Sequence, residues 1–486
     1  MTILQAQVEI LNFEAARVSL ARAPVNRAMP NPKNIPKFYS RKRIFLTGST
    51  GFLGKVVLEK ILRSLSSIDV IYVLIRSSKG KSARVRLMED LLGSPIFERL
   101  HKNYGSRESF NEYALSKLLP IEGDMLAYED GLGIKKEDLD LIQAHGGVDI
   151  LFHCAATVNF TERIDRAVGL NILGTLKLLE MASRLWRVGV FVHVSTAYVN
   201  ANRPSSSRIE EKIYPLEIDP YDLIRSVSGE KTEIELERIT TKALGAYPNS
   251  YTLTKAITEV MIALRRKALG IPLHIVRPTI IGAAFREPFP GWIDSVSAVA
   301  AVFMAGGLGM LSVMPGNPRN IGDLIPVDLV ANHLLCAAME SFGDDTKCLV
   351  SHSSSSTSNP ANWRQHMMAF DHFRKFQSPN GSGPCNFKMI QSPQQFQLEW
   401  FFRYTLPSSA YRTVSEMIAN AEHIRRSKRA ARGVERARAV NMAFESFTRN
   451  EWFFINRTAL NWAAEALNTF GEDAALKNPF NADPRI

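Results

Sequence analysis

The sequence predicts an α/β protein: a doubly wound parallel-sheet Rossmann domain with a smaller substrate region and a helix-rich C-terminal region. Three observations carry this expectation. Apolar, β-prone runs alternate with helix-patterned stretches from Arg41 to about Asn359, the rhythm of strand–helix–strand units. Runs such as DVIYVLI, Asp69 to Ile75, are continuously apolar, which suits strands covered on both faces. The first run turns on three spaced glycines before entering a helix pattern.

That run, Ile44 to Leu46, is followed by Thr47-Gly48-Ser49-Thr50-Gly51-Phe52-Leu53-Gly54 and then by Val56, Val57, Leu58, Ile61 and Leu62. Strand, glycine turn and helix in this order suit a dinucleotide pyrophosphate. Gly48 allows the tight turn, Gly51 lets backbone approach the phosphates, and Gly54 lets helix and strand pack closely. Free N–H groups at the helix start face the anion. Thr47, Thr50, Phe52 and Leu53 complete the cofactor-binding candidates of the turn, Phe52 and Leu53 also as helix-packing residues. The second run ends at Arg76, about where an NAD site carries Asp or Glu for the ribose 2′-hydroxyl. A cationic fork there suits a 2′-phosphate, so NADPH is the expected cofactor.

Leu118 to Ile121 reads as a third strand leaving through Gly123-Asp124, and Asp149 to Cys154 as a fourth ending in Ala155-Ala156, small enough for a cofactor to lie against. An amphipathic pattern from Ile164 to Trp186 contains Asn171, a further cofactor-side candidate. Val190 to Val194 is a fifth strand ending at Ser195-Thr196. Tyr251 to Leu269 reads as a helix, and Leu273 to Val276 as a sixth strand closed by Arg277-Pro278. Arg76, Asp124, Ala155, Thr196 and Pro278 all fall at carboxyl ends of strands, where such sheets bind ligands.

The first forty residues read as a disordered leader, with Pro24, Pro30, Pro32 and Pro36 breaking any long helix and no secretory signal peptide. Residues 41–359 form the cofactor domain, with substrate-binding segments at about 202–246 and 279–359. In the first, Lys231 to Lys242 has the charge pattern of a solvated helix or mobile cover. In the second, the uncharged stretch Ser295 to Pro318 reads as a buried helix plus turn rather than a membrane span, because Gly306, Gly307 and Gly309 interrupt it. Asp328 is placed to N-cap the apolar helix Leu329 to Met339. Cys348 to Ser351 reads as a last short strand, and Ser353 to Asn359 as a loop and boundary. Residues 360–486 are helix-rich and carry a basic run through Arg425, Arg426, Lys428, Arg429, Arg432, Arg436 and Arg438. That run suits a solvated face or a peripheral contact with a membrane surface or coenzyme A phosphates. A basic amphipathic helix is unspecific, and no nucleic-acid partner is assigned to it.

The net charge of +11 favours anionic partners. Cys154, Cys336, Cys348 and Cys385 show no metal-ligand spacing and read as free thiols in a cytoplasmic setting. The chemical constellation is Tyr251-Thr252-Leu253-Thr254-Lys255, which puts a phenol and an ammonium on one helical face. A tyrosine near pKa 10 beside a cation is expected to titrate lower. Thr196 can hydrogen-bond a reacting carbonyl oxygen. Ser195 is its rival, since neighbours on a strand point to opposite sides.

Together these residues resemble the extended short-chain dehydrogenase/reductases. TGSTGFLGKVVLEK, VLIRSSK, FHCAATVNF, HVSTAYVN, YTLTK, VRPTII, PGWIDS and GDLIPVD, in that order from about Arg41 to Asn362, resemble the fatty acyl-CoA reductases more narrowly. The resemblance implies NADPH-dependent reduction of a long-chain acyl-CoA through an aldehyde to a primary alcohol, as in wax ester biosynthesis. It implies catalytic roles for Thr196, Tyr251 and Lys255. A thioester reductase that stops at the aldehyde, a sugar or steroid dehydrogenase, and a non-catalytic NADP sensor are the alternatives. The uncharged segment is a candidate acyl tunnel, with Trp292, Val302, Phe303 and Leu308 as its lining. The oligomeric state stays open, a homodimer included.

Overall fold

The computed structural model describes residues 35–295, 299–307, 311–377, 387–418, 420–471 and 480. Most of the expected leader, Leu308 and Cys385 lie outside the described residues.

The sheet has seven strands, all parallel: β1 (Arg43–Thr47), β2 (Val70–Ile75), β3 (Leu118–Glu122), β4 (Ile150–His153), β5 (Val190–Val194), β7 (Leu273–Pro278) and β11 (Cys348–Ser353). Their order is β11-β7-β5-β4-β1-β2-β3. The chain moves outward from β1 through β2 and β3, then returns to the other side of β1 with β4. The strand order therefore reverses at β1/β4, the place where ligands enter such sheets.

Alternation along the strands divides two cores. Ile44 and Leu46 of β1, Ile71, Val73 and Ile75 of β2, and Val190 and Val192 of β5 face the helices Phe52–Ser64 and Val327–Ser341. Phe45, Tyr72, Leu74 and Phe191 face the opposite layer, where Gly174–Met181 and Ser250–Leu269 pack. The last of these helices starts because Asn249 caps it, its side chain accepting from Thr252 N at 2.9 Å. It stops at Gly270, in the left-handed region at φ 61°.

Short strands bind the rest of the chain to this scaffold: β6 (Ser207–Ile209) pairs with β13 (Trp452–Phe454), β8 (Ile280–Gly282) with β10 (Leu324–Pro326), and β9 (Val313–Pro315) with β12 (Lys388–Ile390). A third core joins Tyr198 and Ile209 to Val302, Val313, Trp400, Phe444, Phe447 and Phe454. The C-terminal residues thus share their packing with the residues just beyond β5.

Three local expectations change. Asp328 is not the cap of its helix, which begins after Pro326. Its carboxylate instead accepts from the backbone N–H groups of Phe285, Arg286 and Glu287 at 2.8–3.1 Å. The last strand runs on to Ser353, and the serine-rich loop after it is buried as far as Ser356. Asp323 accepts from Ser355 N and Oγ and Ser356 N, while Ser354 Oγ donates to Phe454 O. The helix read between Lys231 and Lys242 forms as Glu233–Leu244, set by a capping box of Thr232 and Glu235.

One buried ion pair ties the Ser250–Leu269 helix to β7. Arg277 donates from Nε and Nη2 to the two oxygens of Glu259, at 2.9 and 2.5 Å, and both side chains are almost wholly buried. His352 lies at the third corner, 3.4 Å from Arg277 Nη1, and burial beside that cation holds its pKa down at about 3. Removing one partner strands the other charge in the interior. Glu259→Ala is therefore expected to cost about 3 kcal/mol or more, read as a lower urea midpoint. A midpoint equal to wild type would show that the pair carries no stability.

Candidate active site

The glycine turn closes on the switch point. Gly48 has φ +72°, and a Cβ there would lie 2.8 Å from Ala155 N, so the turn is pressed against the end of β4. A Cβ on Gly54 would sit 2.1 Å from Gly48 O, which leaves glycine as the residue that fits. Gly51 differs: its nearest neighbour would be Gly48 O at 3.3 Å, and the residue is exposed. The protein itself does not fill the space in front of Gly51. The helix behind it, Phe52–Ser64, has no side-chain cap at its N-terminus. Ser49 Oγ is buried without a partner among the described residues. An uncapped helix start, an unpartnered hydroxyl and an open glycine fit the pyrophosphate of a dinucleotide. Phe52 stacks on Trp292 with ring centroids 5.5 Å apart, so these two pack the helix rather than face open space.

Thr47 Oγ1 accepts from Ala155 N at 3.1 Å and lies 2.8 Å from His153 Nδ1. The other ring nitrogen of His153 is 2.9 Å from Thr175 Oγ1, which donates to Asn171 O at 2.7 Å. Thr258 Oγ1 donates to the same carbonyl at 2.9 Å. The Asn171 side chain accepts from Thr157 N and donates to Thr254 Oγ1, at 3.1 and 3.0 Å. Asn171 sits in a π-helical stretch, Val168–Leu173, a distortion often found at functional sites. Its polar groups are thus engaged within the protein, joining the β4 exit to the Tyr251 helix. His153, Thr175, Thr254 and Thr258 were not singled out from sequence. The signal available was the i, i+4 pair of threonines flanking the Tyr251/Lys255 face of the same helix.

Arg76 follows β2 directly and is half exposed, with Nη1 3.6 Å from Asp124 Oδ2. Asp124 also holds Leu126 N at 3.0 Å. Thr50, Leu53 and Ala156 are partly exposed around the turn and the β4 exit.

At the end of β5 the two hydroxyls separate. Thr196 acts on the Tyr251 side chain, lowering its pKa against burial, and its Oγ1 accepts from Tyr198 N at 3.3 Å and lies 3.5 Å from Pro278 O. Ser195 Oγ is buried and has no partner among the described residues. The threonine is therefore the strand-end hydroxyl paired with the tyrosine. Burial pushes Tyr251 up to about 12, against the opposing effect of the Thr196 hydroxyl. Lys255 does not act on it as expected. Its ammonium donates to Val194 O at 2.7 Å, and burial brings its pKa down to about 8 against the pull of Glu259. Phe160 packs on Tyr251 at 5.8 Å and on Phe447 at 5.5 Å, bringing the C-terminal helix to the site. Cys154 stays a thiol, its pKa raised to about 12 by burial.

Of the tunnel candidates, Val302 and Phe303 line a cleft of about 200 Å³ whose wall also includes Met367, Phe387 and the charged Arg364 and Asp371. Trp292 lies instead on Phe52.

A glycine turn at a sheet's switch point, with a Tyr-x-x-x-Lys helix beside a strand-end threonine, defines a nicotinamide-dependent oxidoreductase of the extended short-chain dehydrogenase/reductase type. Residues 46–334 match an NAD-binding family model described as male sterility protein. Fatty acyl-CoA reductase 1 of Xenopus laevis is 35% identical over 87% of this chain and 78% of its own length. The Mus musculus protein of the same name is 33% identical over 93% and 82%. The chain belongs to the fatty acyl-CoA reductase family. Among solved structures, the terminal R domain of the myxalamid PKS-NRPS pathway aligns over 98% of this chain and 96% of its own, with a TM-score of 0.57 and 20% identity. That likeness shows a shared fold.

The two glycines make contrasting predictions. Gly54→Ala forces a clash and lowers the unfolding midpoint. Gly51→Ala leaves stability within about 1 kcal/mol but weakens dinucleotide binding at least about tenfold, because the methyl occupies the phosphate's approach. Calorimetric unfolding and cofactor fluorescence titration separate the two. Equal effects of both substitutions would contradict this division.

Proposed function

We propose that the protein reduces long-chain fatty acyl-CoA to the primary alcohol through the aldehyde, using NADPH and releasing coenzyme A. The observation that carries this reading is the Thr196 hydroxyl at the end of β5 acting on the buried Tyr251 phenol, in a chain of this family. The basic C-terminal region, on this reading, meets a membrane surface.

When bound, the reduced nicotinamide supplies hydride. Gly48, Gly51 and Gly54 hold the pyrophosphate, with Thr47, Thr50, Phe52 and Leu53 shaping the turn. Arg76, loosely paired with Asp124, receives the 2′-phosphate. Ala155, Ala156 and Pro278 wall the cofactor, and Asn171 positions the helix that bears Tyr251. Thr196 and Tyr251 donate to the thioester oxygen where negative charge develops. Reduction needs a proton donor there, and a phenol with a pKa near 12 remains protonated at neutral pH. Tyr251 therefore passes its proton to the oxygen. The hemithioacetal then collapses: the C–S bond breaks, the carbonyl re-forms, and coenzyme A leaves with a proton. The aldehyde meets the same two hydroxyls and receives a second hydride and proton. No cysteine acyl carrier is needed. The cleft walled by Val302 and Phe303 takes part of the acyl chain.

Lys255 supports proton resupply as a cation. With its pKa lowered to about 8, it carries its charge below that pH and loses it as pH rises through it. Reductase kcat/KM, which reports free-enzyme groups, is thus expected to fall above about pH 8. A profile flat to pH 10, two units above the lowered value and approaching the ordinary lysine value of about 10.4, would contradict the role.

NADPH oxidation against a panel of acyl-CoAs, with products identified, tests the reaction. Two NADPH per acyl chain and an alcohol support it, whereas one NADPH and an aldehyde would shorten it to a single reduction. Tyr251→Phe is expected to lower the rate by about 100-fold or more, and full activity would remove the tyrosine from catalysis. Val302→Trp is expected to shift activity toward shorter chains. An unchanged chain-length profile would take the cleft out of the acyl route.

A further inference from the structure

The C-terminal region carries a helix, Leu406–Ile418, that the protein core does not hold, packed on a helix that reaches the core only further along, through Ala437, Phe444 and Phe447. Helix Leu406–Ile418 packs on the next helix, Ala421–Arg449, yet Ser415 is its one buried side chain. A helix this short gains most of its stability from packing an apolar face. Here the apolar side chains point outward instead. At its C-terminal end, Val414, Met417 and Ile418 are exposed, Met417 to 79%. Just before the helix, Phe401 and Phe402 are exposed as well. An apolar group of this size on a protein surface marks a contact site.

The first turns of the second helix follow that apolar tip in the chain. These carry Arg425, Arg426, Lys428, Arg429 and Arg432. Arg426 pairs with Glu422, whereas Arg425, Lys428 and Arg429 form no ion pair with any described residue. A second copy docking tip to tip would bring two such clusters together, which like-charge repulsion opposes. An anionic surface meets both features at once. No described helix is long and apolar enough to cross a membrane, so the helix pair would lie in the interface rather than span the bilayer.

We propose that the apolar tip formed by Val414, Met417 and Ile418 inserts into the surface of an anionic lipid bilayer, with the adjacent arginines on the lipid phosphates. This deepens the membrane reading of the basic region and rests on it, while being independent of the reductase chemistry. It also gives the acyl route an entrance. The helix Val299–Gly307, which walls the Val302/Phe303 cleft, packs against the arginine-bearing helix. Docking there brings the cleft close to the phase in which long acyl chains reside.

The test is flotation of the full chain with vesicles of phosphatidylcholine alone or with about 30 mol % phosphatidylserine. Wild type is expected to bind the anionic vesicles and to release at about 1 M salt. The M417E/I418E variant is expected to bind at least about tenfold more weakly, while keeping wild-type unfolding and wild-type turnover of a soluble short-chain acyl-CoA. An M417W variant gives a second readout, since brominated lipid should quench its added fluorescence. If wild type binds neither vesicle, the membrane reading falls with the insertion. If M417E/I418E binds like wild type and M417W is not quenched, the insertion falls while the membrane reading stands. If the double variant instead converts a dimer to a monomer, the face belongs to a second copy and the proposal is overturned.

Discussion

Two threonine hydroxyls reach one backbone carbonyl, that of Asn171, and join the halves of the site. One comes from Thr175 and the other, its proton shared with Thr254 O, from Thr258, on the helix that carries Tyr251 and Lys255. Asn171 lies in the π-helical stretch Val168–Leu173, the kind of distortion often found at functional sites. Through Thr175 the same network runs to His153 and on to Thr47, at the foot of the glycine turn. His153 is fully buried, and its surroundings hold it neutral, by desolvation first and by the Lys255 cation second. A neutral ring can accept on one side and donate on the other. The cofactor turn and the catalytic helix are therefore held in one hydrogen-bonded frame.

The same burial sets the chemistry. It raises the tyrosine to about 12 and lowers the lysine to about 8, driving two ordinarily similar pKa values apart. A reductive site gains from both: the phenol stays loaded with a proton, and the ammonium has a proton to yield near neutral pH. Sequence reasoning from spacing alone had the cation lowering the phenol. The structure places the cation on Val194 O, so desolvation of the phenol prevails.

The parallel sheet was legible in the sequence because doubly covered strands are written as unbroken apolar runs, and β1, β2 and β5 are found where those runs lie. The Gly48 and Gly54 packing demands were legible as spacing. What was not legible depends on distant partners. Asp328 reads as a helix cap until the loop at Phe285–Glu287 comes within reach of its carboxylate. A run of serines reads as a loop and boundary, since composition does not reveal that Asp323 and Phe454 take up its hydrogen bonds. The choice between Ser195 and Thr196 needed coordinates, because only direction distinguishes neighbouring strand-end hydroxyls. The contact of Phe160 with both Tyr251 and Phe447 joins parts of the chain too far apart for any local pattern to relate.

The account's central claim is that one constellation of Thr196, Tyr251 and Lys255 directs both reductions at a single carbonyl carbon. Mass spectrometry of the product formed from an acyl-CoA and NADPH deuterated at the transferring position of C4 tests it most directly. The account predicts an alcohol with two deuterium atoms on C1, both lost together in a variant lacking the Tyr251 hydroxyl. An alcohol carrying a single deuterium, or labelled aldehyde still accumulating undiminished in that variant, would contradict it.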